Sequence, residues 1–298
     1  MSFRNRFIVA LALSLGASPV LFGQSTAEGL NVEGFDALRF VFTDDYYYGD
    51  KKLDDAFILV GYDMTCVYDT LAHRSFTTKD LLQIGPIWAK YQVEIKFRYD
   101  AKMRERTSDE VLFLSDCEKD RIYWAGFYDT YLLDRSENKI SFTCRMAAED
   151  FKVEEGAPEI DWQLLSESKK IGPYVCQHAV ARVGGRNWHA WFAPDIPVSV
   201  GPWKLHGLPG LIVSAYDDSR QYVFEATSVS EENSPIYLID YPYTNISRKQ
   251  YNKMFKEMME FYFHFVNSHL TGSGFKHFPD TNEKRTTMSY SLIERDEE

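Results

Sequence analysis

Apolar and polar residues alternate along much of the first half of the chain. The most regular stretch is Ile140–Met146, where Ile140, Phe142, Cys144 and Met146 are apolar and Ser141, Thr143 and Arg145 are polar. Successive strand side chains point to opposite faces, so this pattern predicts a strand with one buried and one wet face. Similar β-rich runs cover 37–43, 56–68, 91–99, 111–114 and 121–133, while the polar stretches 104–110 and 149–158 read as solvated loops.

The segment from Trp162 to Ser230 carries more detail. Runs 174–183 and 186–192 flank Gly184-Gly185, a pair free to take positive φ and close a tight hairpin. A two-residue turn pairs Val183 with Arg186, Val180 with His189 and His178 with Trp191. It places Val175, Ala179, Ala181, Val183, Trp188, Ala190 and Phe192 on a core face, and Tyr174, Cys176, His178, Arg182, Asn187, His189 and Trp191 on the other. That second face reads first as an ordinary wet face, and alternatively as an aromatic and ionisable patch lining a groove. A second hairpin joins 211–215 to 221–230 through Tyr216-Asp217-Asp218-Ser219-Arg220. Between the hairpins, the loop 194–210 holds four prolines and three glycines, so few of its residues suit a regular ladder.

After Tyr243 the period changes. Tyr251, Met254, Phe255, Met258, Tyr262, Phe265 and Val266 fall on one stripe at three- and four-residue steps, predicting an amphipathic helix near 247–270. Ser247 and Gln250 have capping-box spacing at its start, and Gly272 and Gly274 follow its end. Strands in meander order followed by one such helix predict a mainly β (α+β) domain over 24–298: a curved antiparallel sheet or half-barrel with the C-terminal helix packed on it.

The start of the chain adds an address. Arg4 and Arg6 precede an apolar run from Phe7 to Phe22, short for a membrane span, so residues 1–23 read as a signal peptide. No cysteine lies there to accept a lipid, so the expected product is a soluble periplasmic protein. A formal charge of −11 with no block of lysines or arginines gives no electrostatic footprint for nucleic acid or an anionic membrane. Cys66, Cys117, Cys144 and Cys176 are an even set compatible with two disulfides after export, and their spacings match no zinc pattern.

At Gly207-Leu208-Pro209-Gly210-Leu211-Ile212 the chain carries the hexapeptide for which the GLPGLI family is named. It also resembles that family at Trp162, Lys170-Ile171, Gly172–Gln177, Gly185-Arg186, Ala190-Trp191-Phe192, Asp195-Ile196-Pro197 and Gly201–Lys204, and in outline at Leu82–Gly85 and Tyr290–Glu294. It departs at Pro173 and His178. The resemblance implies an exported protein of Gram-negative bacteria, sometimes considered beside TonB-dependent outer-membrane receptors, and supplies no catalytic residue.

The residues themselves point the same way. His178 and His189 need a further ligand to hold a metal, with Asp195 the nearby carboxylate in sequence, and no Gly-x-Ser-x-Gly elbow or phosphate-binding loop occurs. No catalytic residue, metal or cofactor is assigned. The expectation is a binding or accessory protein with an envelope protein partner or a hydrophobic or peptide ligand, recognised through His178, His189, Trp191, Trp203, Gly207, Pro209 and Gly210. The alternative is a periplasmic hydrolase or metal-dependent enzyme built on the His178/His189 face.

Overall fold

The computed structural model describes residues 41–42, 50–71, 73–105, 112–113, 129–146, 149–239, 242–261 and 293–295. The leader at 1–23, Cys117, the continuation of the C-terminal helix through Tyr262, Phe265 and Val266, and Gly272 and Gly274 lie outside them.

In chain order the elements are β1 (Val41–Phe42), β2 (Asp50–Ala56), β3 (Ile58–Asp69), β4 (Arg74–Ile84), β5 (Trp88–Val93), α1 (Glu94–Glu105), β6 (Leu112–Phe113), β7 (Thr130–Asp134), β8 (Lys139–Met146) and β9 (Glu149–Gly156). They continue with β10 (Gln163–Ile171), β11 (Tyr174–Val183), β12 (Arg186–Ala193), β13 (Leu211–Asp217), β14 (Tyr222–Ser230), β15 (Ser234–Ile239), β16 (Thr244–Asn245) and α2 (Arg248–Glu260). Twelve strands form one sheet in the order β10-β11-β12-β13-β14-β3-β4-β5-β7-β8-β9-β16. The expected mainly β architecture is present as a large curved sheet that does not close into a barrel. All its pairs are antiparallel except β16 with β9.

Two meanders build this sheet, and the antiparallel pairing of β14 with β3, from Tyr222↔Cys66 to Ser230↔Leu59, welds them. One face carries the main core, including Tyr62, Leu82, Ile84, Phe142, Trp188, Phe192 and Phe224, each at most 2% exposed. Helix α2 lies on this core through Tyr251, Phe255 and Met258, with the Tyr251 ring edge-on to Phe142 at 4.9 Å. Burying each such side chain contributes roughly 1.5–3 kcal/mol, enough to hold a helix of modest intrinsic propensity. The Ser247/Gln250 capping box forms as the spacing predicts. Among the described residues no helix is long and apolar enough to cross a membrane.

The other face is covered where β4, β5 and β7 meet the β2–β15 ribbon. Its apolar contacts, centred on Ala56, Leu59, Leu132 and Ile236, are mixed with polar ones: Gln83 Nε2 donates to Ser234 Oγ at 3.1 Å and Lys90 Nζ to the Tyr237 carbonyl at 3.0 Å.

Four expectations are corrected. The run 91–99 is a strand only to Val93 and continues as α1, which also takes in Arg104 and Glu105 of the expected loop. Alternation at Ile95 and Phe97 mimics a strand, but the i,i+4 pairs Glu94–Arg98 at 3.6 Å and Lys96–Asp100 at 2.7 Å suit a helix. The stretch 149–158 is largely strand β9, with Phe151 and Val153 buried between charged neighbours that hide the alternation in a composition average. Val175 is 58% exposed and Cys176 is fully buried, the reverse of their expected burial, at a point where β11 has only β10 beside it, since its pairing with β12 begins at Gln177. Finally, Cys66, Cys144 and Cys176 are buried free thiols. Two bridges among four cysteines would require at least one bond among these three. Burial pushes the Cys66 thiol up to about 12, which makes it a poor nucleophile.

Candidate functional site

The glycine pair at the β11–β12 turn has φ of +54° and +69°, and the hairpin pairs as the turn dictates: Val183↔Arg186, Val180↔His189 and His178↔Trp191. The outer face of this hairpin differs from the expected wet surface, since His178 is 5% and Trp191 7% exposed. They are buried by one another. The Trp191 and His178 rings stack at 4.4 Å and 6°, His178 and His189 lie 5.2 Å apart at 24°, and His189 stacks on Tyr216 at 5.0 Å and 8°. A cation caps each end, Lys169 Nζ 4.1 Å from the Trp191 ring and the Arg220 guanidinium 4.1 Å from Tyr216.

A hydrogen-bonded chain crosses the same ladder. His178 Nδ1 is 2.8 Å from Glu167 Oε2, His178 Nε2 is 3.0 Å from His189 Nδ1, and His189 Nε2 is 2.9 Å from Asp218 Oδ1. The Asn187 amide and then the His189 ring hold the Asp218 carboxyl below the usual carboxylate range. The carboxylates that reach the histidines are therefore Glu167 and Asp218, where the sequence had suggested Asp195. Among the described residues no group of three or more His, Cys, Asp and Glu side chains is arranged to hold a metal ion. The Trp191–His178 and His189–Tyr216 pairs each stack face to face beside a charged rim, with the side chains of Glu167 and Asp218 65% and 57% exposed.

Trp203, Gly207, Pro209 and Gly210 do not join this face. They belong to the loop 194–210, which packs Val198, Val200, Trp203, Leu205 and Leu208 into the main core. Trp203 takes φ of +56° and its indole lies 5.4 Å from that of Trp188. The loop is held at both ends: Leu211 N donates to the Ile196 carbonyl at 3.0 Å, Ile212 N to Val200 at 3.1 Å, and Trp162 Nε1 to the His206 carbonyl at 2.8 Å. Gly207 has φ of +91°, as a corner requires. Gly210 serves differently, because a Cβ there would run into the Ala193 carbonyl. Between Val200–His206 of the loop and Leu82, Tyr91, Tyr131 and Ile140 of the sheet remains a cavity of about 10 Å³, room for one water at most.

The tail completes the assembly. Arg186, with its side chain 1% exposed, donates to Asp217 at 2.9 Å, Gln221 at 3.0 Å and the Ile293 carbonyl at 3.0 Å, and Arg295 N caps the Gly184 carbonyl at 2.9 Å. Sequence reasoning found His178, His189 and Trp191 by register. It passed over Glu167, Lys169 and Arg220, whose approach depends on the adjoining strands, where the β10–β11 and β12–β13 pairings both carry irregularities.

A family model described as "Protein of unknown function (Porph_ging)" matches residues 185–214, from the β11–β12 turn through β12 and the loop into β13. No curated protein matches the chain. Among solved structures the chain is similar to PNGF-II, determined in space groups P21 and C2, at 16% identity and a TM-score of 0.45 in each case. That likeness covers 70% of this chain, and the chain spans about a third of PNGF-II, 34% of its length.

Proposed function

We propose that this chain is an exported protein of the bacterial envelope, of the kind the GLPGLI resemblance describes, and that it works as a non-enzymatic binding or accessory protein whose outer surface meets a protein partner. One observation carries this reading: among the described residues the loop 194–210 packs into the core face of the sheet beside α2, and the cavity between loop and sheet holds no more than a water. Carriage of a lipid or peptide inside the sheet needs a hollow of several hundred Å³. The charged rim of the ring ladder, with Lys169 and Arg220 at its ends, offers a polar recognition surface instead.

The test is cross-linking of the full chain in intact cells, followed by fractionation and capture. Expected is export to the envelope and one recurrent protein partner, lost in the surface variants Lys169→Glu and Arg220→Glu while the fold is kept. Retention in the cytoplasm, or recovery of a bound lipid with no protein partner, would overturn the proposal.

A further inference from the structure

Glu167, His178, His189 and Asp218 form three consecutive hydrogen bonds, at 2.8, 3.0 and 2.9 Å. Each bond needs one hydrogen. Ionised carboxylates contribute none, and a neutral imidazole contributes one, because one ring nitrogen donates while the other accepts. Two neutral histidines thus supply two hydrogens for three bonds. If His178 donates to Glu167 and His189 to His178, the bare Nε2 of His189 faces a carboxylate oxygen. If both histidines donate outward, two bare nitrogens face each other across 3.0 Å.

We propose that the folded protein holds one additional proton between His178 and His189, so that the pair carries a single positive charge. A metal ion does not fit the same place. Zinc–nitrogen bonds run about 2.0–2.1 Å, so a metal on the line between two facing nitrogens would need them about 4 Å apart, and the rings are fixed between Trp191 and Tyr216. A fourth proton does not fit either, since two N–H groups would then point at each other across the central gap.

The surroundings agree with one charge. Glu167 from β10 and Asp218 from the β13–β14 turn are negative at the two ends, and the depressed Asp218 carboxyl stays ionised. Lys169 lies beyond Trp191 and Arg220 beyond Tyr216, each separated from the imidazoles by a ring. Asn187 binds the far oxygen of Asp218 at 2.9 Å, and Arg182 follows on the His178 side of β11 with its side chain exposed. Loss of the shared proton releases one carboxylate from the ladder, and gain of another parts β11 from β12 at the rings. The ladder is complete in one charge state only. This inference rests on these four residues and is independent of what the face recognises.

The test is nitrogen NMR of the full chain carrying ¹⁵N-labelled histidine, near neutral pH, with the two rings assigned by His178→Gln and His189→Gln. Each ring nitrogen reports whether it carries a proton. The wild type is expected to show three protons on the four nitrogens of the pair. Asp218→Asn supplies an amide hydrogen to His189 Nε2 and Glu167→Gln one to His178 Nδ1, so each variant completes all three bonds with neutral rings. Both are expected to show two protons, with His189 Nε2 bare in the first and His178 Nδ1 bare in the second. Two or four protons on the wild-type pair, or variants that keep the wild-type count, would overturn the proposal.

Discussion

Lys204 Nζ lies 2.6 Å from the carboxylate of Glu294, ninety positions further along the chain. The same ammonium reaches Glu155 at 2.5 Å, and Arg248 at the start of α2 meets Glu155 at 2.6 Å and Glu294 at 3.3 Å. Four charges of balanced sign thus tie the loop 194–210, strand β9, helix α2 and the tail together, with the Lys204 side chain only 3% exposed. Removing one partner of a buried pair leaves the other uncompensated. Glu294→Gln is expected to lower unfolding stability by about 2 kcal/mol. Lys204→Met is expected to cost at least as much, because it leaves Glu155 and Glu294 to share Arg248 alone. Urea denaturation of each variant checks the order.

Asp80 sits in the core, accepts a hydrogen bond from the Tyr91 hydroxyl, and has its carboxyl pushed up to about 7 by burial. In the unfolded chain it ionises near 3.8. Between those values the folded state holds more protons than the unfolded one, so this residue's contribution to stability falls as pH rises through the window. Asp80→Asn keeps an oxygen for Tyr91 and removes the dependence. The variant is expected to be more stable than wild type above pH 7, by on the order of 2–4 kcal/mol, and to lose that advantage toward pH 4. Thermal unfolding across that range measures it.

Lys90, on the opposite face beneath the β2–β15 ribbon, has its ammonium lowered to about 7 by burial against an unfolded value of 10.5. Here the unfolded state holds more protons between the two values, so stability rises with pH across that window. Lys90→Met gives up the bond to the Tyr237 carbonyl but no longer buries a charge. It is expected to be more stable than wild type below pH 7, by on the order of 1–3 kcal/mol, with the difference closing toward pH 10. Equal stabilities at acid pH would contradict the burial argument.

The two glycines of the hexapeptide separate in their chemistry. Gly207→Ala strains a φ of +91° with little in its way, and about 1–2 kcal/mol is expected. Gly210→Ala must push β13 away from Ala193, so a larger loss of roughly 2–4 kcal/mol is expected, together with loosening of the loop. Denaturation midpoints of the two single variants compare them directly.

Much of this fold was legible because hairpin register follows from turn chemistry. Gly184-Gly185 fixed His178 opposite Trp191, and the Ser247/Gln250 spacing fixed the start of α2. What stayed hidden had physical causes. Strand β9 carries so many charges that Phe151 and Val153 are diluted, and α1 begins with a strand-like alternation that only the pairs Glu94–Arg98 and Lys96–Asp100 distinguish. At the site, the partners of the two histidines come from β10 and from the β13–β14 turn. Their positions depend on irregular pairings that no local pattern encodes, so Asp195, near in sequence, stood in for Glu167 and Asp218.

The account turns on the loop 194–210 being a fixed part of the sheet's core, which leaves the outside of the molecule to do the work. Hydrogen exchange on the intact chain tests this most directly, read at the amides of Gly207, Leu211 and Ile212, whose carbonyl partners are Ser199, Ile196 and Val200. The account predicts protection matching that of β12 and of β13 from Val213 onward. Free exchange at these amides beside protected strands would show the loop opening from an apolar groove, and would contradict it.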